Sequence, residues 1–275
     1  MIKFLKIFSG KGSTLAYSIT TAIFTFFPES CFNNKLCVLR KLSDEMTITI
    51  SRLIIFIVIF FISNVIYLFY QCLRTKVFIN GNNFSIQIEY GDLFQISKGK
   101  IVIDFDECFT TTVGENPAEI KPTSVCGQYL VRYPIYNIQD LIEKAGVKSS
   151  RKKSKYNNQN SYSSGTIVPN DNFLLMAFAK LDENGLGCLS YDEYIDCLEK
   201  LWEQIDIWHG TSDVYVPILG SKIVRFDKDL TQQELLDIMI SSYRLSPKKM
   251  NKSYTLHIVC RKQNGFSLNK IFGIK

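Results

Sequence analysis

The chain has 275 residues, enough for one or two domains, with a formal net charge of +6 and 46% hydrophobic residues. Before Val77 there are nine Lys/Arg and three Asp/Glu, and after it 23 of each, so the whole excess lies in the first quarter. The remainder is electrically balanced, which argues against a domain that binds nucleic acid through a basic face. Eight cysteines without a CxxC pair, together with only two histidines, His209 and His257, leave no zinc-site pattern and read as reduced thiols used as small hydrophobes.

The first apolar stretch runs from Thr14 to Phe27, follows Lys3, Lys6 and Lys11, and ends at Pro28-Glu29. No small-x-small cleavage site comes after it, so it reads as a first membrane helix, short and rich in Thr and Ser, ahead of a re-entrant or interfacial one. The second, Leu53 to Leu73, has twenty-one residues without a charge, between Arg52 and Arg74/Lys76. At 1.5 Å per residue such a helix crosses the roughly 30 Å apolar core of a bilayer. Tyr67 and Tyr70 fit an interfacial aromatic belt. Residues 1–76 are therefore expected to form a two-helix membrane region, multi-pass, and 77–275 a separate domain.

From Val77 the pattern becomes strand alternation, with a turn at Asn80-Gly81-Asn82-Asn83. Ile101 to Ile103 is a short buried strand, and Ile138 to Ala145 a helix ended by Gly146. Residues 147–165 are polar, basic and rich in Asn and Ser, the composition of a mobile, solvated insertion. Phe173 to Lys180 and Tyr191 to Ile207 carry apolar residues at helical spacing, and both are expected to be helices. Between them Asp182 to Glu193 imitates a calcium-binding EF-hand loop. Leu186 supplies no oxygen at its fifth position, however, so it reads as a helix–turn–helix connection with Gly185 and Gly187 at the turn. Asp213 to Leu219 is a buried strand, Thr231 with Glu234 a helix-starting capping box, and Tyr254 to Cys260 a final strand. Strands alternating with helices give an α/β fold with its ligand site at the carboxyl ends of the strands.

Three such ends carry candidate chemistry: Gly91-Asp92-Leu93-Phe94, DFDECFTTT from Asp104, and GSKIVRF from Gly220. Loops of this kind gather backbone N–H groups and helix N-termini around phosphate oxygens. In order and spacing, together with SSGTIVPNDNFLLMAFAKLDENG, LSYDEYIDCLEKLWEQID and VYVPILGS, they resemble the macro domain, a mixed sheet flanked by helices, of the ThsA family of Thoeris antiphage effectors. The resemblance implies a nucleotide signal derived from ADP-ribose, made by a TIR-domain partner and conjugated to histidine in the membrane-anchored architecture. It places adenine on Asp92 and Leu93. The distal ribose and phosphates fall to the first loop, with Asp104, Asp106, Cys108, Phe109, Thr110 and Thr111. The diphosphate falls to Gly220, Ser221, Lys222, Ile223, Arg225 and Phe226. The family's GSG is here Gly220-Ser221-Lys222, which adds a cation.

A sensor of this kind needs no acid–base group and no cofactor beyond its ligand, whereas a hydrolase needs a base near the distal ribose, for which Asp104, Asp106 and Glu107 are the acids in reach. The reading is of a non-enzymatic effector in the cell inner membrane, its large domain and both termini cytosolic, which self-associates on ligand binding and disrupts the bilayer. A membrane-tethered ADP-ribosyl hydrolase is the second reading.

Overall fold

A computed structural model describes residues 10–32, 43–116, 118–221 and 224–271. The chain divides into two units, Met1–Arg74 and Thr75–Lys275.

In the first unit, α1 (Lys11–Phe26) and α2 (Asp44–Leu73) run antiparallel: Ser13 meets Asn64 and Tyr17 meets Phe56 and Phe60. α2 begins nine residues before its uncharged run, because the Ser43 hydroxyl accepts from Met46 N and Asp44 and Glu45 complement the helix dipole in the first turn. The sides are inverted relative to a water-soluble pair. Gly12, Ser13, Ala16 and Thr20 of α1 and Thr47, Ser51, Ser63 and Asn64 of α2 are buried, while Leu53, Ile57, Phe61, Ile66 and Phe69 point outward. Small and hydroxyl residues inside with large apolar side chains outside is the packing of helices in lipid, where the solvent offers no reason to hide leucine. A Cβ on Gly12 would lie 3.0 Å from Asn64 Oδ1, so the helices touch through the glycine. Arg52 pairs with Glu29 at 3.2 Å and lies over the rings of Phe24 and Phe32, tying the turn after α1 to α2. Among the described residues α2 alone is long and apolar enough to cross a membrane. The 16 residues of α1 rise only about 24 Å, so of the two expected membrane helices α2 alone has a spanning length.

The second unit is a nine-stranded mixed sheet between two helical layers. Five strands, β2 (Ser85–Tyr90), β9 (Thr255–Cys260), β7 (Val214–Pro217), β3 (Lys100–Asp106) and β5 (Phe173–Leu181), lie parallel in that spatial order. β1 (Lys76–Asn80) adds antiparallel to β2 through the Asn-Gly turn. β4 (Ile167–Asn170) and β6 (Gly187–Leu189) border β5, and the two-residue β8 (Arg225–Phe226) lies beside β6. Successive strand residues face opposite layers. Leu174, Met176 and Phe178 pack with α5 (Tyr191–Trp208) and α6 (Gln232–Leu245), whereas Leu175 and Ala177 pack with α3 (Val125–Arg132) and α4 (Ile138–Lys144).

Two expectations fail here. Phe173 to Lys180 is not a helix but β5, an inner strand buried on both faces, so its run of apolar residues has no alternation to reveal it. The segment after it, from Asp182, is therefore neither an EF-hand nor a helix–turn–helix. Asp182 Oδ1 accepts from Asn184 N and Leu186 N at 2.9 and 2.8 Å, closing a tight turn between β5 and β6. Residues 147–165 carry no helix or strand, as expected, but the segment is no purely solvated insertion: Ser154, Ser161 and Tyr162 are buried.

Candidate functional site

All five parallel strands point their carboxyl ends to one edge, where two clefts meet. The first, about 740 Å³, is walled by Gly91 and Leu93 after β2, Asp104 in β3, Ile218, Gly220 and Ser221 after β7, and Val259, Arg261 and Gln263 at the end of β9 and beyond. The second, about 840 Å³, runs from Asp104 and Asp106 past Lys121 and Cys126 to Gly185, Gly187 and Arg225. Asp104, Ser124 and Val224 line both, which makes them one groove.

The groove's middle is lined by a helix N-terminus and a glycine turn. Ser124 caps α3, its hydroxyl accepting from Gly127 N at 2.9 Å. Thr123, Ser124 and Val125 line the first cleft, so the helix N-terminus, with its unpaired first-turn N–H groups, opens onto it. This close seat depends on Gly127, where a Cβ would come within 2.1 Å of the Lys121 carbonyl oxygen. Opposite, Gly220 adopts φ +78, and a Cβ there would strike the Phe226 ring at 2.6 Å, so the loop after β7 turns where only glycine fits.

Against these donors stand carboxylates. Burial pushes Asp104 up to about 6, and its Oδ1 is buried with no hydrogen-bond partner. A carboxylate oxygen left without a donor at the junction of two clefts can take one from a ligand, such as a hydroxyl or an amine. Asp106 is spent differently. Its Oδ1 accepts from Cys108 N at 2.8 Å and Thr110 N at 3.1 Å, which folds the loop after β3, while burial raises its pKa. Glu107, next along, turns away: its Oε1 accepts from Ser154 Oγ at 2.7 Å and Leu181 N at 3.1 Å, and its carbonyl takes Tyr162 N. Burial raises the Cys108 thiol to about 11 and Cys126 well above the usual thiol range, so neither offers a thiolate nucleophile.

Of the residues expected from sequence, Leu93, Asp104, Asp106, Gly220, Ser221 and Arg225 come together along this groove. Asp92 is exposed at its rim, with Oδ1 accepting from Phe94 N at 3.0 Å; its neighbours Gly91 and Leu93, not Asp92, form the wall. Phe109 is a core residue instead of a ligand contact: at φ +53 it packs on Phe105 and Tyr162 with 1% exposure. Cys108, Thr110 and Thr111 belong to the same turn and lie outside both linings. Phe226 backs Gly220 and packs against Tyr194. Lys222 and Ile223 fall outside the described residues. His209 ends α5, and His257 in β9 stacks on Tyr215 and pairs with Glu89; neither lines the groove. No cluster of His, Cys, Asp or Glu able to hold a metal occurs among the described residues. The sequence reading missed the α3 N-terminus, Lys121, Arg261 and Gln263. Ser124 as a helix cap was the signal available for the first of these.

The family model described as Thoeris protein ThsA, Macro domain, matches residues 86–261, which takes in the sheet from β2 to β9 and every wall of the first cleft except Gln263. The chain belongs to the ThsA family. A ThsA of Bacillus amyloliquefaciens (strain Y2) is 30% identical over 234 residues, covering 79% of this chain and 77% of that protein. Among solved structures, a point mutant of the Oceanobacillus iheyensis macrodomain aligns with 69% of this chain and 91% of its own, at TM-score 0.46 and 11% identity. The macrodomain of Thermus aquaticus DarG aligns with 64% and 97%, at 0.38 and 12%. The ThsA assignment accounts for the α/β fold, and the groove lies within the part of the chain that carries it.

Proposed function

We propose that this ThsA homologue is a Thoeris antiphage effector whose macro domain binds an ADP-ribose-derived signal in the groove and passes the event to the N-terminal helices. The observation that carries this reading is the set of groups that lines the groove. An apolar wall at Leu93 and Val259 suits a base, the α3 N-terminus and the Gly220 turn suit a diphosphate, and the unsatisfied Asp104 suits a sugar hydroxyl. The signal is the histidine conjugate of ADP-ribose made by a TIR-domain partner. α2 spans the inner membrane with α1 folded beside it, the macro domain is cytosolic, and ligand-driven self-association gathers the helices until the bilayer leaks. Tethering copies through their soluble domains raises the local helix concentration steeply, which suits a switch that must stay silent when dispersed.

Calorimetric titration with ADP-ribose and its histidine conjugate tests the ligand, with tighter binding of the conjugate expected. Equal and negligible heats for both refute it. Light scattering of the detergent-solubilised chain, paired with dye release from liposomes, tests the output. Leakage from a species that stays monomeric in ligand removes the association step.

One observation favours a second reading. A carboxyl held near 6 in a cleft is suited to act as a general base, so Asp104 supports an ADP-ribosyl hydrolase. Release of ADP-ribose from modified protein, lost in Asp104→Asn, decides for that enzyme.

A further inference from the structure

Beside the groove, on the far side of Glu107, lies a third basin that the nucleotide reading leaves unused. Six cations surround it: Arg151, Lys152, Lys153 and Lys155 on the loop after α4, Lys180 at the end of β5, and Lys200 on α5. The three carboxylates on its wall do not balance them evenly. Glu193 caps α5 and pairs with Lys180, so five cations face the two remaining acids, Asp196 and Glu107, the latter turned onto Ser154 and Leu181 N. The domain as a whole carries equal numbers of acids and bases, and residues 147–165 contain five Lys/Arg and no Asp or Glu, so the cations are segregated here.

The loop presenting them is built. Ser150 N donates to Ser161 O at 2.7 Å, Ser154 N to Gln159 O at 3.0 Å, and Ser161 Oγ to Lys152 O at 2.7 Å. Asn157 and Asn158 turn the chain at positive φ, and Ser154 is drawn inward onto Glu107. Arg151, Lys152 and Lys155 are left exposed on the outer side.

We propose that this basic basin docks the macro domain on the anionic headgroups of the membrane that the same chain enters. The topology favours lipid over a soluble anion. β1 runs antiparallel to β2, with Lys76 opposite Glu89, so the chain joins the domain at the carboxyl edge of the sheet, the edge where Lys180 and the basin lie. Only Arg74 and Thr75 separate α2 from β1. An anionic surface is thus the partner present at high effective concentration, and each Lys or Arg near such a surface contributes roughly fivefold to its hold.

This inference rests on α2 being a membrane span, and the test separates the two. The full chain is reconstituted in nanodiscs of phosphatidylcholine alone or with one-third phosphatidylglycerol, and amide hydrogen exchange is followed across residues 147–165. Severalfold slower exchange is expected in the anionic discs, abolished by Arg151→Glu/Lys152→Glu/Lys155→Glu, retained in Lys152→Arg/Lys155→Arg, and weakened by added salt. Exchange that is equal in both discs overturns the docking. So does equal protection in neutral discs from inorganic phosphate or an RNA oligonucleotide, which makes the basin a soluble-anion site. A chain that does not enter discs overturns both the span and the docking. Unchanged melting of the reversed variant excludes unfolding as the cause.

Discussion

Asp104→Asn is the substitution on which the site reading turns. In the free protein the Asp104 carboxyl is raised from 3.8 to about 6 by burial, with Oδ1 unpaired. A shift of about two units corresponds to about 3 kcal/mol by which the folded state disfavours the ionised group. Because the folded value lies above the unfolded one, the native state holds the extra proton between about pH 4 and 6. Stability therefore falls as pH rises through that window, and the whole penalty is present at pH 7. Asparagine removes the charge but leaves an amide to be satisfied, at about 1 to 2 kcal/mol, so the net gain at pH 7 is about 1 to 2 kcal/mol. For a domain of this size that raises Tm by about 2 to 8 °C. Scanning calorimetry of the detergent-solubilised chain from pH 5 to 7.5 measures it. The wild type should lose stability with rising pH, and the variant should show a flatter profile while binding ADP-ribose more weakly. A variant with the wild-type pH slope and unchanged ligand affinity would refute the view that Asp104 is a strained carboxylate awaiting a donor.

Further expectations rest on single contacts. Gly127→Ala should cost about 1 to 3 kcal/mol, because its methyl meets the Lys121 carbonyl, and should weaken ligand binding more than Ala substitution of the exposed Asp92; melting and titration read both. Glu107→Ala leaves Ser154 Oγ and Leu181 N without their acceptor and should cost about 3 kcal/mol while loosening the loop and speeding trypsin cleavage at the already exposed Arg151, Lys152, Lys153 and Lys155, with Glu107→Gln intermediate; equal cleavage rates for all three proteins would remove Glu107 as the pin of that loop. Gly12→Leu should part α1 from α2. In a cysteine-free background the Ser13→Cys/Asn64→Cys pair should cross-link readily, since these side chains meet at 3.5 Å, and the added leucine should abolish the product.

Much of the fold was legible because single residues announced it. The absence of charge from Leu53 to Leu73 gave the membrane-length helix, Asn80-Gly81 the first hairpin, and Thr231 with Glu234 the start of α6. β5 was misread because an inner strand buried on both faces does not alternate, and its Leu, Met, Ala and Lys are also good helix formers. Of the groove, Leu93, Asp104, Asp106 and the Gly220 turn were visible as strand-end residues. Phe109 was mistaken for a contact because a loop sequence does not say which side chain turns inward. Arg261 was invisible for another reason. It reaches the groove only through pairing between segments far apart in sequence, as β2 with β9.

That last pairing sets an order of events during synthesis. β9, the final strand, is the middle rung between β2 and β7, so the sheet cannot be joined until nearly the whole chain has left the ribosome. The helices of the first unit are made some 180 residues earlier, while the groove does not yet exist. A nascent or truncated chain ending before Thr255 thus carries the long apolar helix without a finished groove, whose walls at Val259 and Arg261 come last.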